Sequence, residues 1–156
     1  MIAAQFLIAI HVFFSPSGGC QQAAIAAIES AQSTVEVFAY TFTSKPVSDV
    51  IVAALNRGVK VRAILDYGSN HHNKNSQRGV IAKAGATVVC DRRHAIFHDK
   101  IVVVDSHVVT LGSWNFSRAA ELSNAENLLV VDDADLAAKY EANFETHYAH
   151  AQNCDK

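Results

Sequence analysis

The chain has 156 residues, enough for one domain with a core of its own. Half of the residues are hydrophobic and 18% are charged, which excludes an intrinsically disordered chain. A net charge of −2 and a pI near 6.4 argue against strong global attraction to nucleic acid, although the charge is unevenly spread.

The chain opens MIAAQFLIAIHVFF, apolar but without a basic n-region or an A-x-A-like cleavage site. The run is too short to cross a bilayer of roughly 30 Å. We read residues 1–12 as an N-terminal extension leading into a first strand near 7–14, residues 13–150 as one domain and 151–156 as a tail. A helix over 20–32, a strand over 34–41, a helix over 46–57 and a strand over 59–66 follow from the apolar periodicity. Strands alternating with helices indicate an α/β fold.

Residues 67–76, YGSNHHNKNS, read as a polar loop following a strand, where ligands of α/β proteins tend to bind. Lys74 is a candidate contact to a nucleic-acid backbone. The adjacent His71 and His72 make a poor chelate and have no companion carboxylate at ligand spacing, so no metal site is expected. A helix over 77–84 and a strand over 86–90 lead to Arg92-Arg93-His94, where Arg92 and Arg93 are candidate phosphate contacts. From Arg57 to Lys100 nine Lys/Arg face three acids; from Ile101 onward three bases face nine acids. Such asymmetry suits a basic cleft on a soluble domain.

The densest pattern is His98-x-Lys100-x4-Asp105-x6-Gly112-Ser113-x-Asn115. A strand over 98–104 places His98 and Lys100 on one face, roughly 6.5 Å apart along the chain. Asp105-Ser106-His107 reads as a hairpin turn into a strand over 107–112, which makes the sheet mixed. Asp105 is at an odd offset from His98, so a structural role suits it better than a chemical one. Gly112-Ser113 ends the second strand. Ser117 is an N-cap candidate for a helix over 117–123, and its free N–H groups near Ser113 and Asn115 would favour an anion. Imidazole, ammonium, amide and hydroxyl then converge on a phosphate-sized site. Each element is common alone; their joint spacing in a strand–turn–strand–bend context carries the chemistry. Glu126 precedes an apolar strand over 127–132, and a helix over 134–149 closes the domain. Cys20, Cys90 and Cys154 show no C-x2-C spacing; one disulfide can form, and its pairing stays open.

The pattern resembles the HKD signature of the phospholipase D superfamily, and in particular its single-motif bacterial endonucleases of the Nuc type. The resemblance extends to 14–20, 37–44, 57–66 and 112–121. It implies a mixed β-sheet flanked by helices on both faces, in a single domain. It also implies a phosphodiesterase that needs no metal or other cofactor and cleaves DNA, with RNA as a further candidate substrate, through a phosphohistidine. In that scheme His98 is nucleophile and general acid in turn, and Lys100 and Asn115 hold the phosphoryl oxygens. Ser113 and Glu126 support His98, Glu126 by hydrogen-bonding the imidazole; Gly112 lies in the substrate-binding bend and Asp105 belongs to the signature. Only one copy of the motif is present, whereas the chemistry needs two, so the resemblance implies a homodimer with its site on the two-fold axis. A periplasmic or secreted location is expected, with the cytoplasm as the alternative, and no stable membrane association. A lipid phosphodiesterase and a non-catalytic nucleic-acid-binding module are the rival readings.

Overall fold

A computed structural model describes residues 9–155. The elements run β1 (Ala9–Ser15), α1 (Cys20–Glu29), β2 (Thr34–Ala39), α2 (Lys45–Asn56), β3 (Lys60–Asp66), α3 (Tyr67–Asn70), α4 (Arg78–Lys83) and β4 (Thr87–Asp91). They continue with β5 (Lys100–Val104), β6 (Val108–Gly112), α5 (Arg118–Leu122), β7 (Glu126–Asp132) and α6 (Ala134–Tyr148). The part of the expected first strand before Ala9 lies outside the described residues.

The strands form one mixed sheet in the order β1-β7-β6-β5-β2-β3-β4. β2, β3 and β4 are parallel, and the other pairings are antiparallel. Helices cover both faces, as expected. Val35, Val37, Val102 and Val104 face the α1–α2 side with Ala24, Ile28 and Ile51. Phe38, Ile64, Ile101 and Val103 face α6, where Ala137 and Phe144 meet them. Central strands buried on both faces read as continuous apolar runs, which is why β5 is KIVVV. On the α6 side Glu36 and Arg62 are paired neighbours of β2 and β3, and Arg62 also reaches Glu145 of α6 at 2.6 Å. Burial raises the pKa of Glu36, and its hydrogen bond and ion pair with Arg62 oppose the rise.

The expected hairpin forms, with Asp105 and Ser106 both at positive φ, 52° and 57°. Asp is among the few non-glycine residues that tolerate this conformation. Its carboxylate accepts from the backbone N–H of Gln32, Ser33 and Thr34 at 2.8 Å each and from the Ser33 hydroxyl at 2.7 Å. Asp105 therefore clips the β5–β6 turn to the start of β2. Lys100 and Asp105 sit at opposite ends of β5, roughly 17 Å apart at about 3.3 Å per residue. Asp105 is thus removed from the candidate site, and its place in the signature is structural.

Two strands are shorter than expected. β2 stops at Ala39 because Asn70 takes over the pairing: its Nδ2 donates to the Tyr40 carbonyl at 2.7 Å, and its Oδ1 accepts from Phe42 N at 3.1 Å. β5 starts at Lys100 rather than 98, because Phe97 N donates to the Asp66 carboxylate (2.8 Å). The tail is also tied down. Cys154 forms a disulfide with Cys90 of β4, Gln152 pairs with Cys90 through its backbone, and Cys20 is free and buried.

Burial works to raise the Asp105 pKa, but the four donors outweigh it and hold the carboxyl at about 2 against an ordinary 3.8. Its stabilisation is complete above 3.8 and is lost as pH falls towards 2. We predict that Asp105→Ala lowers the unfolding free energy by about 2 kcal/mol at neutral pH, the scale of hydrogen bonds to a charged group. Urea melts should show the gap to wild type closing as pH falls through that range, while turnover of the folded variant is unchanged.

Candidate active site

At one end of the sheet, His98, Lys100, Gly112, Ser113, Asn115 and Glu126 line a single open depression of about 500 Å³. Three separate pieces of chain line it, and each is fixed by buried neighbours.

His98 is set by the residues on either side of it. Phe97 is buried and stacks parallel to Phe38 at 6.4 Å, and the Asp99 carbonyl accepts from Tyr40 N at 2.8 Å. Between these two anchors the exposed imidazole lies against the Tyr40 ring, 4.7 Å between centroids. His98 lies outside the strand ladder, yet it lines the same depression as Lys100.

Lys100 pairs with Ala39 of β2 and is only 4% exposed. Its Nζ donates to the His98 carbonyl at 2.6 Å and lies 5.0 Å from the Tyr40 ring. An ammonium has three donors, so two remain for a ligand. Burial lowers its pKa, against the opposing pull of Asp99 and Glu126.

The bend after β6 alternates. Trp114 and Phe116 are fully buried, edge-on to one another at 5.6 Å, with Phe42 edge-on to Phe116 at 6.1 Å. Ser113 and Asn115, at the intervening positions, therefore face the depression. A Cβ at Gly112 would lie 2.3 Å from the Asn127 carbonyl, so only glycine fits the close approach of β6 to β7. Ser113 N donates to Asn127 O at 3.1 Å, and Ser113 Oγ accepts from Asn127 N at 3.1 Å, leaving its hydroxyl hydrogen free to donate. Asn115 Oδ1 is buried with no hydrogen-bond partner among the described residues. An amide oxygen accepts, so the group Asn115 can offer a bound oxyanion is its Nδ2 donor.

Two expectations need correction. Ser117 is the N-cap and accepts from Ala120 N, but the first residue of α5, Arg118, lines a different cavity with Gln21, Lys45 and Glu121. The helix terminus therefore does not face the site. Glu126 lines the depression, but its Oε1 accepts from Asn124 Nδ2 (2.9 Å), and no hydrogen bond joins it to the His98 imidazole among the described residues. Lys74, Arg92 and Arg93 do not line the depression. They follow β3 and β4 along the same end of the sheet, with the Arg92 guanidinium 3.6 Å over the Tyr67 ring. Residues that the sequence reading missed are Asp66 and Tyr40, which hold the 97–100 segment, and Asn70, which holds the backbone of Tyr40 and Asp66. Their contacts are long-range and leave no local spacing to find.

A family model described as "Cardiolipin synthase, PLD-like domain" matches residues 24–148. The chain belongs to the phospholipase D superfamily. It is 34% identical over 135 residues to "Phospholipase D" of Rickettsia conorii, covering 86% of this chain and 67% of that protein. It is 33% identical over 116 residues to "Mitochondrial cardiolipin hydrolase" of Chlamydomonas reinhardtii, covering 74% of this chain and about half, 52%, of that one. Among solved structures it superposes on Nuc from Salmonella typhimurium, a phospholipase D family member, with a TM-score of 0.89 and 31% identity, over 94% of this chain and 97% of that one. The chain is thus a phosphodiesterase of this superfamily, in its single-domain form.

His98→Ala should cut phosphodiesterase turnover by several powers of ten while leaving the melting temperature near wild type, because the ring is exposed and carries no core contact. Glu126→Gln should shift the alkaline limb of the pH–rate profile to lower pH. The Glu126 charge supports the Lys100 ammonium, and without it Lys100 loses its proton sooner. An unmoved alkaline limb would separate Glu126 from the chemistry.

Proposed function

We propose that the protein is a non-specific endonuclease that cleaves DNA, and RNA as well, through a phosphohistidine at a homodimer site. The carrying observation is a set of exposed cations at the same end of the sheet as the pocket: Lys74, Arg92 and Arg93 lie on the segments that follow β3 and β4. A polyanionic strand entering the pocket would continue over them, and phosphate contacts of this kind position a nucleic acid without reading its sequence.

One His98 attacks phosphorus, forming the P–N bond as the P–O bond to the leaving sugar oxygen breaks. The second His98, protonated, gives its proton to that oxygen; it then takes a proton from water, whose oxygen displaces the first histidine. Lys100 and Asn115 from both chains stabilise charge on the non-bridging oxygens. The pocket lining offers an ammonium, an amide, a hydroxyl and an imidazole, a donor set suited to an oxyanion. Two histidines are needed on opposite sides of phosphorus, and the chain carries the motif once. The edge strand β1 supports dimerisation: Ile10, Val12 and Phe14 form an exposed apolar row, and Phe14 lies opposite Asn127, next to Glu126.

A lipid phosphodiester is the second reading. It is favoured by the relatives named phospholipase D and cardiolipin hydrolase and by exposed Ile96, two residues before His98. No helix among the described residues is long and apolar enough to cross a membrane. Intact His98 and Lys100 stand against a non-catalytic binding module. A periplasmic or secreted location is part of the proposal and rests on the single-motif resemblance.

Supercoiled plasmid nicking, release of choline from phosphatidylcholine vesicles and release of phosphatidic acid from cardiolipin vesicles, run side by side in excess EDTA, test this reading. We expect nicking at full rate, inhibition by orthovanadate, and no lipid turnover. Lipid hydrolysis without nicking would transfer the same machinery to the second reading. Nicking that requires added Mg²⁺ would overturn the mechanism.

A further inference from the structure

A second cluster of reactive side chains lies away from the phosphodiester pocket and shares no residue with it. Asp91 ends β4, His94 lies three residues on, and His147 and His150 lie one helical turn apart where α6 ends. One ligand atom from each of the four falls within 4.8 Å of the other three. We propose that Asp91, His94, His147 and His150 bind a divalent transition metal, zinc by the chemistry of the donors, and that the metal clamps α6 to the segment leading into His98.

The geometry is that of a site built around one carboxylate. Asp91 is 2% exposed, and its Oδ1 accepts from the backbone N–H groups of Arg93 and His94, both at 3.0 Å. Those bonds fix the carboxylate and leave Oδ2 facing the imidazoles, with His150 Nε2 at 2.8 Å, His94 Nδ1 at 3.1 Å and His147 Nδ1 at 4.0 Å. The last distance is too long for a hydrogen bond, and His147 Nδ1 is buried with no hydrogen-bond partner among the described residues. A hydrogen-bonded cluster leaves that nitrogen unexplained. A metal explains it, because ligand atoms about 2.0–2.2 Å from a tetrahedral ion stand roughly 3.3–3.5 Å from one another. Shifts of about an ångström would close the four atoms around one ion.

Three imidazoles and a carboxylate complete a tetrahedron, so the site is closed and leaves no position for a reacting water. Its role is structural. The His147 ring packs edge-on against Phe97 at 5.2 Å, and Phe97 is the residue before His98. The Cys90–Cys154 disulfide begins one residue before Asp91, so metal and disulfide fasten the same corner of the fold. This places the metal where it steadies the active-site segment without entering the chemistry.

The test is titration of chelator-stripped full-length protein with zinc by calorimetry, and with cobalt by visible absorption as a geometric probe. We expect one equivalent per chain, tetrahedral cobalt bands, and a melting temperature raised by roughly 5–10 °C at free zinc about a hundredfold above the dissociation constant. His147→Ala/His150→Ala should abolish binding and the thermal shift, and His150→Gln should weaken both. His71→Ala/His72→Ala should leave them unchanged. Absence of stoichiometric binding by the wild-type chain overturns the proposal, whatever the variants do. Binding that survives removal of His147 and His150, or is lost with His71 and His72, overturns it equally.

Discussion

A buried ammonium governs the arrangement of the site. Lys100 occupies the first ladder position of β5, between β2 and the polar pocket, where a charge is costly unless other groups compensate it. Its one side-chain hydrogen bond among the described residues goes to the carbonyl of His98, and the charges of Asp99 and Glu126 help keep it protonated. What remains is an electrophilic donor pair at the floor of a depression whose wall carries the Asn115 amide. Such a site is incomplete until an oxyanion arrives. The stability cost of burying Lys100 is thus tied to binding a phosphodiester.

The sheet topology makes this possible. Antiparallel β5 enters beside the C-terminal end of β2, and antiparallel β6 leaves beside the N-terminal end of β7, so four segments meet at one edge. Asp105 closes the opposite end of the β5–β6 hairpin by capturing three backbone N–H groups ahead of β2. The signature therefore spans two functions: its His, Lys, Ser and Asn shape the pocket, and its Asp sets the register that presents them.

Much of this was legible in the chain. The apolar run after Lys100, the Asp-Ser turn and the Gly-Ser-x-Asn bend are local patterns; the structure bears out the mixed sheet, and in it His98, Lys100, Ser113, Asn115 and Glu126 line one depression. The rest depends on contacts that local spacing does not encode. Asn70 ending β2 from 30 residues away, Asp66 catching Phe97, and Cys90 choosing Cys154 over Cys20 are all tertiary events. The Asp91–His94 and His147–His150 pairs each show i, i+3 spacing, but only the fold brings them together. The expected anion site at the start of α5 failed because Ser117 satisfies the helix itself, and α5 turns towards another cavity.

The central claim is that one chain carries half of an active site. Wild-type protein mixed with His98→Ala chains under conditions of subunit exchange tests it most directly, with the total chain concentration held constant. If two His98 side chains serve one phosphorus, phosphodiesterase activity falls roughly as the square of the wild-type fraction, because each mixed dimer lacks either its nucleophile or its general acid. Activity that falls in simple proportion to the wild-type fraction, with exchange shown by a label on one chain, would contradict the account.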